Sequence, residues 1–94
     1  MGWGSMLEAR FRDVRRKGKT LRNEGLITGT IKRKNGEICA ISMIGHKVET
    51  YVLRNGLGTK FEINLENEEI KGRIDRVQKD LLKHNIINID IIEI

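Results

Sequence analysis

Apolar and polar side chains alternate along much of this chain, and the alternation predicts strands. Near the start, Leu7, Ala9 and Phe11 alternate with Glu8 and Arg10, a pattern typical of a half-buried strand with its charged face outward. Similar stretches follow along the sequence. The predicted strands cover residues 7–11, 26–32, 38–44, 61–65, 70–74 and 87–91.

The periodicity changes between the third and fourth strands. Ile44, Val48, Tyr51 and Val52 lie at helical spacing, so the sequence predicts a helix over residues 45–55 that ends near Gly56. This is the one helix that the apolar pattern predicts.

Glycines and polar residues mark the breaks between these elements. The Asn35-Gly36 pair predicts a hairpin turn. Residues 20–24 are compatible with a helical turn closed by Gly25, and Gly72 is expected to mark a bulge or a tight bend.

Together these elements predict a mainly β fold with short helices. We expect a six-stranded closed or nearly closed β-barrel with one helix near residues 45–55 and a basic loop near residues 13–25. Closure would also protect the edges of an Ile-rich sheet. Residues 1–5, Met-Gly-Trp-Gly-Ser, are interpreted as an added leader, and residues 6–94 as a single β-barrel domain.

Charge is concentrated in one window, residues 10–22, which we call the basic segment. It holds seven basic side chains against Asp13, a net charge of +6, whereas the other 81 residues carry a net −1. A basic cluster on an otherwise balanced chain is typical of a polyanion-binding site, most often for nucleic acid. The alternative is a solvated arm without a partner.

Catalysis and cofactor binding have little support in the sequence. Gly18-Lys19-Thr20 lacks the preceding glycine and strand of a phosphate-binding loop. His46, His84 and Cys39 have no metal-ligand spacing, so neither a metal site nor a cofactor is expected. The sequence predicts a protein that is not an enzyme.

The remaining composition indicates the location and the mode of binding. The single cysteine suits a reducing compartment, and no apolar run is long enough for a membrane span, so a cytoplasmic location is expected. Phe11, Tyr51 and Phe61 are interpreted as core residues rather than as platforms for base stacking. Structured RNA, contacted through phosphates and groove shape, is therefore the expected partner.

Three stretches resemble one family. They are Glu8-Ala9-Arg10 with the basic segment and Leu21-Arg22-Asn23-Glu24-Gly25-Leu26-Ile27, then Val77-Gln78-Lys79-Asp80, then Ile89-Asp90-Ile91. Their order and spacing resemble the Ctc-type ribosomal proteins, which bind loop E of 5S ribosomal RNA in the bacterial large subunit, and the chain is identified as a divergent member. The resemblance implies a six-stranded barrel that contacts RNA through its basic loop and its outer polar face.

The resemblance also implies which side chains contact RNA. Carried over position by position, these are Arg10, Arg15, Lys19, Arg22, Gln78 and Asp90. The chain departs from the family at Thr28 and Leu81, where proline is usual, at Lys32, where tyrosine is expected, and at Asn88, where histidine is expected. Because Lys32 can still contact a phosphate and Asn88 can still form hydrogen bonds, both join the predicted site, as does Arg16 of the basic segment.

The resemblance therefore predicts a protein of the large ribosomal subunit on the bacterial ribosome, with 5S ribosomal RNA as its partner. The alternative is a stress-associated interaction module of the same fold that binds another polyanion or an acidic protein. Exposed polar atoms on the strand of Asn88 and Asp90 would favour the first interpretation, and a closed apolar surface there the second. Asp90 has two hypotheses: a simple ion pair with Arg10, or hydrogen bonds accepted from base amino groups.

Overall fold

A computed structural model describes residues 6–12, 15 and 17–94, and all six predicted strands are confirmed. The elements, in chain order, are β1 Met6–Phe11, α1 Gly18–Asn23, β2 Leu26–Lys32, β3 Ile38–Ile44, α2 Gly45–Asn55, β4 Lys60–Leu65, β5 Glu68–Lys79 and β6 Ile86–Glu93. The predicted helix over residues 45–55 is confirmed, and it ends at Gly56, whose φ is +73°. Neither described helix is long and apolar enough to cross a membrane.

The strands form a closed barrel in the order β1-β3-β2-β6-β5-β4. Four of the six contacts between neighbouring strands are antiparallel. The other two, β1 with β4 and β2 with β6, are parallel and join segments that are distant in sequence. Of the two predicted alternatives, closed or nearly closed, the barrel is closed.

Alternation along each strand fills the barrel with branched aliphatic side chains. Ile31, Ile41, Ile63 and Ile89 have no exposed surface at all. Helix α2 adds to this core, since its Val48 and Tyr51 are buried and the Tyr51 ring lies 4.8 Å from that of Phe61, centroid to centroid. The interpretation of Tyr51 and Phe61 as core residues is confirmed.

A second helix lies within the predicted basic loop. The expected turn at residues 20–24 is part of α1, which ends in a backbone hydrogen bond from Gly25 N–H to the Arg22 carbonyl, with φ at +83° for Gly25. Leu21 is buried and anchors α1, which contacts β2. The described residues therefore form two helices, whereas the apolar pattern predicts one. The pattern does not reveal α1 because this six-residue helix has a single apolar residue, Leu21.

Two glycines let β6 approach its neighbours. A Cβ at Gly29 would lie 2.3 Å from the Ile89 carbonyl oxygen, so the close contact of β2 with β6 requires glycine there. Gly72 has a similar role against β6, with Ile92 O 3.0 Å from an added Cβ. The bulge expected at Gly72 is instead displaced along β5, where the register shifts between Ile74 and Arg76.

An ion-pair network closes the end of the barrel at which β2 ends. Arg33 donates from Nε to Glu93 at 2.8 Å and from Nη2 to Glu68 at 2.6 Å, and Lys34 N–H donates to the same Glu93 oxygen at 3.1 Å. These bonds hold the pKa of Glu93 below its usual range and raise the pKa of Arg33. We call Arg33, Glu68 and Glu93 the Arg33 cluster.

Candidate nucleic-acid interface

A line of polar side chains crosses five neighbouring strands on the outside of the barrel. The strand registers pair Arg10 with Ser42, Ser42 with Thr28, Thr28 with Asn88, and Asn88 with Gln78. All five alternate with inward-facing residues, so they point away from the core. We call them the polar row. It brings together two of the predicted site residues, Gln78 and Asn88, whereas Arg10 lies three strands away from Asn88 around the closed barrel.

The centre of the polar row is fixed by a hydrogen bond. Thr28 is only 6% exposed, and its hydroxyl donates to Asn88 Oδ1 at 2.8 Å. The amide nitrogen of Asn88 donates one weak hydrogen bond to Asp90 Oδ1 at 3.4 Å, and its second N–H is left for another partner. Thr28 therefore orients Asn88 as a hydrogen-bond donor on the outer face.

Asp90 lies in the next row of the same face. Its Oδ1 accepts a hydrogen bond from the Thr30 hydroxyl at 2.8 Å, and its Oδ2 lies 3.3 Å from Arg76 Nε. Of the two hypotheses for Asp90, the ion pair with Arg10 is not formed among the described residues, and Arg76 is the cation that Asp90 contacts instead. The physical reason is the strand order, because β3 and β2 separate β1 from β6.

Cations of the basic segment lie beside the start of β2, the strand that carries the central Thr28 of the polar row. Arg15, Lys19 and Arg22 are exposed, with Lys19 and Arg22 on α1, the helix that leads into β2. The loop between β5 and β6 lies near this helix, since Arg22 and Asn85 line one shallow cleft. In this loop, hydrogen bonds from the backbone N–H groups of Lys83 and Leu82 lower the pKa of Asp80, and the charge of Arg22 adds a smaller effect.

Two other predicted residues stand apart from these groups. Arg16 lies outside the described residues. Lys32 is exposed on the same outward face of β2, four positions beyond Thr28, which corresponds to about 13 Å at ~3.3 Å per residue. It therefore lies at the opposite end of β2 from α1.

The interpretation of Phe11 as a core residue is wrong, because its side chain is 53% exposed. Phe11 is the last residue of β1, where the barrel gives it no cover, and its N–H donates to Glu66 Oε2 at 2.6 Å. The ring lines an open groove of about 580 Å³, which also contains Arg10, Ser42 and Ile44. An exposed aromatic ring thus lies beside the polar row.

Sequence reasoning missed four polar contributors to this face: Ser42, Thr28 as an orienting group, Thr30 and Arg76. Ser42, Thr28 and Thr30 occupy outward positions of their strands, and that alternation was visible in the sequence. Arg76 faces outward only because the strand register shifts between Ile74 and Arg76. What the sequence does not contain is the register that places them beside Asn88 and Asp90. Among the described residues, no group of three His, Cys, Asp or Glu side chains is arranged to hold a metal ion.

Comparison with known proteins gives two findings. The model of the Ribosomal L25p family matches residues 7–91 of the chain. A curated relative, "Large ribosomal subunit protein bL25" from Clostridium tetani, is 35% identical over 78 residues, which is 83% of this chain and 40% of that protein. The chain therefore spans about two fifths of the length of that relative.

Proposed function

We propose, because this chain belongs to the Ribosomal L25p family, that it is a non-enzymatic protein of the large ribosomal subunit that binds 5S ribosomal RNA. The polar row faces the bases in a groove of the RNA, and the basic segment contacts phosphates beside it. The location that follows is the cytoplasmic ribosome. We further propose that residues 6–94 act as one RNA-binding domain.

The observation that carries this proposal is the polar row itself. Thr28 on β2, Asn88 on β6 and Gln78 on β5 lie on three adjacent strands, and the registers align them on one outer surface. Asn88 is held by Thr28 and Asp90 in the orientation that offers its second amide N–H to a ligand. Oriented amide and guanidinium groups suit base edges and 2′-hydroxyls in the wide minor groove of an RNA helix.

The electrostatic part of the proposal concerns the basic segment. If three to five of its cations contact phosphates, log affinity should fall against log salt with a slope of roughly −2 to −4. A salt dependence of this size is expected for any RNA helix. It therefore measures the contacts to phosphates and not the recognition of one particular RNA.

The polar row is tested by Asn88→Ala, with binding measured to a 5S ribosomal RNA loop E fragment and to a scrambled duplex of equal length. We expect discrimination between the two to fall by about 1–3 kcal/mol, because one base contact is lost. Asn85→Ala, an exposed asparagine outside the polar row, is the matched control and should leave discrimination unchanged. Equal binding of the unmodified protein to both RNAs and to heparin would instead favour a general polyanion partner.

The role of Asp90 is tested by Asp90→Asn, which keeps an acceptor for Thr30 but removes the charge. If Asp90 accepts hydrogen bonds from base amino groups, discrimination falls. If Asp90 only pairs with Arg76, discrimination stays and binding to both RNAs becomes stronger, since one negative charge is lost. The second outcome would remove Asp90 from the site.

A further inference from the structure

An open groove runs along the outside of β1, on the side of the barrel opposite Asn88. Its volume is about 580 Å³, and residues 8–11 of β1 line it. These residues span about 10 Å, three steps at ~3.3 Å each. In the closed strand order, β1 is three strands from β6 in either direction. An RNA held at Asn88 and Gln78 therefore lies across the barrel from this groove, which we call the β1 groove.

The β1 groove exposes apolar surface that the barrel does not cover. Phe11 is 53% exposed and Ile44 is 40% exposed. Leu26, the cross-strand partner of Ile44, is half-buried and lines the same groove. A bound chain that covered these side chains would gain hydrophobic energy that folding alone does not provide.

Carboxylates outnumber cations along the β1 groove. Glu8 and Glu66 line it, and Arg10 is the one cation among its described lining residues. None of these three side chains takes part in an ion pair within the described part of the chain. Glu69 extends the acidic surface, since the registers pair Glu8 with Asn64 and Asn64 with Glu69. Such a surface repels phosphates and attracts a cationic ligand.

The turn between β4 and β5 places Glu66 at the Phe11 end of the groove. Glu66 Oε2 accepts the Phe11 N–H at 2.6 Å, and Oε1 accepts no hydrogen bond from the described residues. The backbone of Glu66 has a φ of +47°, which is uncommon for glutamate. Asn67 N–H donates to Asn64 Oδ1 at 3.0 Å, which leaves the amide nitrogen of Asn64 to donate to a ligand. A carboxylate oxygen, an amide and an exposed ring thus line the same end of the groove.

We propose that the β1 groove binds an extended basic segment of a second protein, with an arginine side chain placed between the Phe11 ring and Glu66 Oε1. A guanidinium group can stack on an aromatic face and pair with a carboxylate at the same time. An aliphatic neighbour of that arginine would cover Ile44, and Asn64 would donate to a backbone carbonyl group. The barrel would then bind RNA on one side and protein on the other.

The test is a nuclear magnetic resonance titration of the isotope-labelled protein with two short peptides. One has Arg-Leu-Arg at its centre, the other has Glu-Leu-Glu, and both have Gly-Ser flanks. The arginine peptide should shift the amide signals of residues 8–11, 42–44 and 64–67, whereas the glutamate peptide should not. Glu66→Gln keeps an acceptor for Phe11 N–H but removes the charge, so it should weaken binding of the arginine peptide about two- to threefold, the effect of one exposed ion pair. The matched control, Glu37→Gln, removes an exposed charge outside the groove and should leave the affinity unchanged.

A third peptide, with Lys-Leu-Lys at its centre, separates the ring from the charge. Phe11→Leu keeps an apolar side chain but removes the ring, so it should weaken the arginine peptide more than the lysine peptide. Equal effects of Glu66→Gln and Glu37→Gln would overturn the inference, and so would amide shifts centred outside the groove. Self-association that Glu66→Gln abolishes, measured by sedimentation, would identify a second copy of this chain as the occupant and overturn the proposal of a separate partner.

This inference does not depend on which RNA the polar row binds. Failure of the proposed function would appear only in the RNA titrations, where the unmodified protein would not distinguish loop E from the scrambled duplex. Failure of the present inference would appear only in the peptide titrations. Glu66→Gln should accordingly leave the discrimination between the two RNAs unchanged.

Discussion

Two arginines bind carboxylates of the same strand, β6, in opposite settings. Arg33 and Glu93 have side chains only 20% and 17% exposed, they meet at 2.8 Å, and Glu68 adds a second acid. Arg76 is 80% exposed and reaches Asp90 through one contact of 3.3 Å. The difference shows that burial and the number of bonds decide the role of a charge: the Arg33 cluster stabilises the barrel, whereas Arg76 remains accessible to a ligand.

The largest expected effect comes from breaking the contact of β2 with β6, on which the Arg33–Glu93 pair depends. Gly29→Ala places a Cβ 2.3 Å from the Ile89 carbonyl oxygen, which forces β2 away from β6. We expect a loss of about 3 kcal/mol in the free energy of unfolding, measured in urea. Gly58→Asn is the control, because an added Cβ there meets nothing within 4 Å and asparagine tolerates a positive φ. If Gly29→Ala lowers the free energy of unfolding by less than Gly58→Asn does, the close contact of β2 with β6 is contradicted.

The comparison between the two arginines is tested directly by Arg33→Met and Arg76→Met. Arg33→Met leaves Glu93 mostly buried without its cation, so we expect it to cost about 2 kcal/mol. This is less than the ~3–5 kcal/mol of a fully buried pair, because water still reaches Arg33. Arg76→Met should change stability by less than about 0.5 kcal/mol, since it removes only an exposed contact. Equal losses in denaturant titrations would show that burial does not separate the two pairs.

A smaller effect is expected in the pH dependence of stability. Hydrogen bonds from Arg33, and then from Lys34 N–H, hold the pKa of Glu93 below its ordinary value of 4.5. The unfolded chain therefore takes up the Glu93 proton first as the pH falls. The stabilisation is complete well above pH 4.5 and is lost on acidification below it. Glu93→Gln should make the free energy of unfolding depend less on pH in this acidic range. If the variant and the unmodified protein show the same pH dependence, Glu93 does not contribute to it.

Local patterns in the sequence predicted the strands and α2, because alternation and helical spacing depend only on near neighbours. Phe11 shows the limit of this reasoning. Alternation identifies the side of β1 on which Phe11 lies, but not that the strand ends where the core no longer covers the ring. Helix α1 was read as a turn for a similar reason, since Leu21 is its only buried anchor.

The sequence identified several residues of the candidate site individually, but it did not predict how the fold arranges them. The positions of Arg10, Asn88 and Gln78 followed from the resemblance, but the bond from Thr28 to Asn88 joins residues 60 positions apart. The Arg33 cluster was missed because Arg33 follows a strand and has no apolar pattern around it. Its partners, Glu68 and Glu93, are identified only by the strand order.

The parallel contact of β2 with β6 also has a consequence for how the chain folds. Neighbouring strands such as β2 and β3 can pair soon after they meet, but Thr28 and Asn88 are separated by 60 residues, and joining them carries the entropy cost of a large loop. The polar row exists only after that late closure. An incompletely folded chain would still carry its cations, so we expect it to associate with RNA electrostatically before it acquires the ability to distinguish one RNA from another.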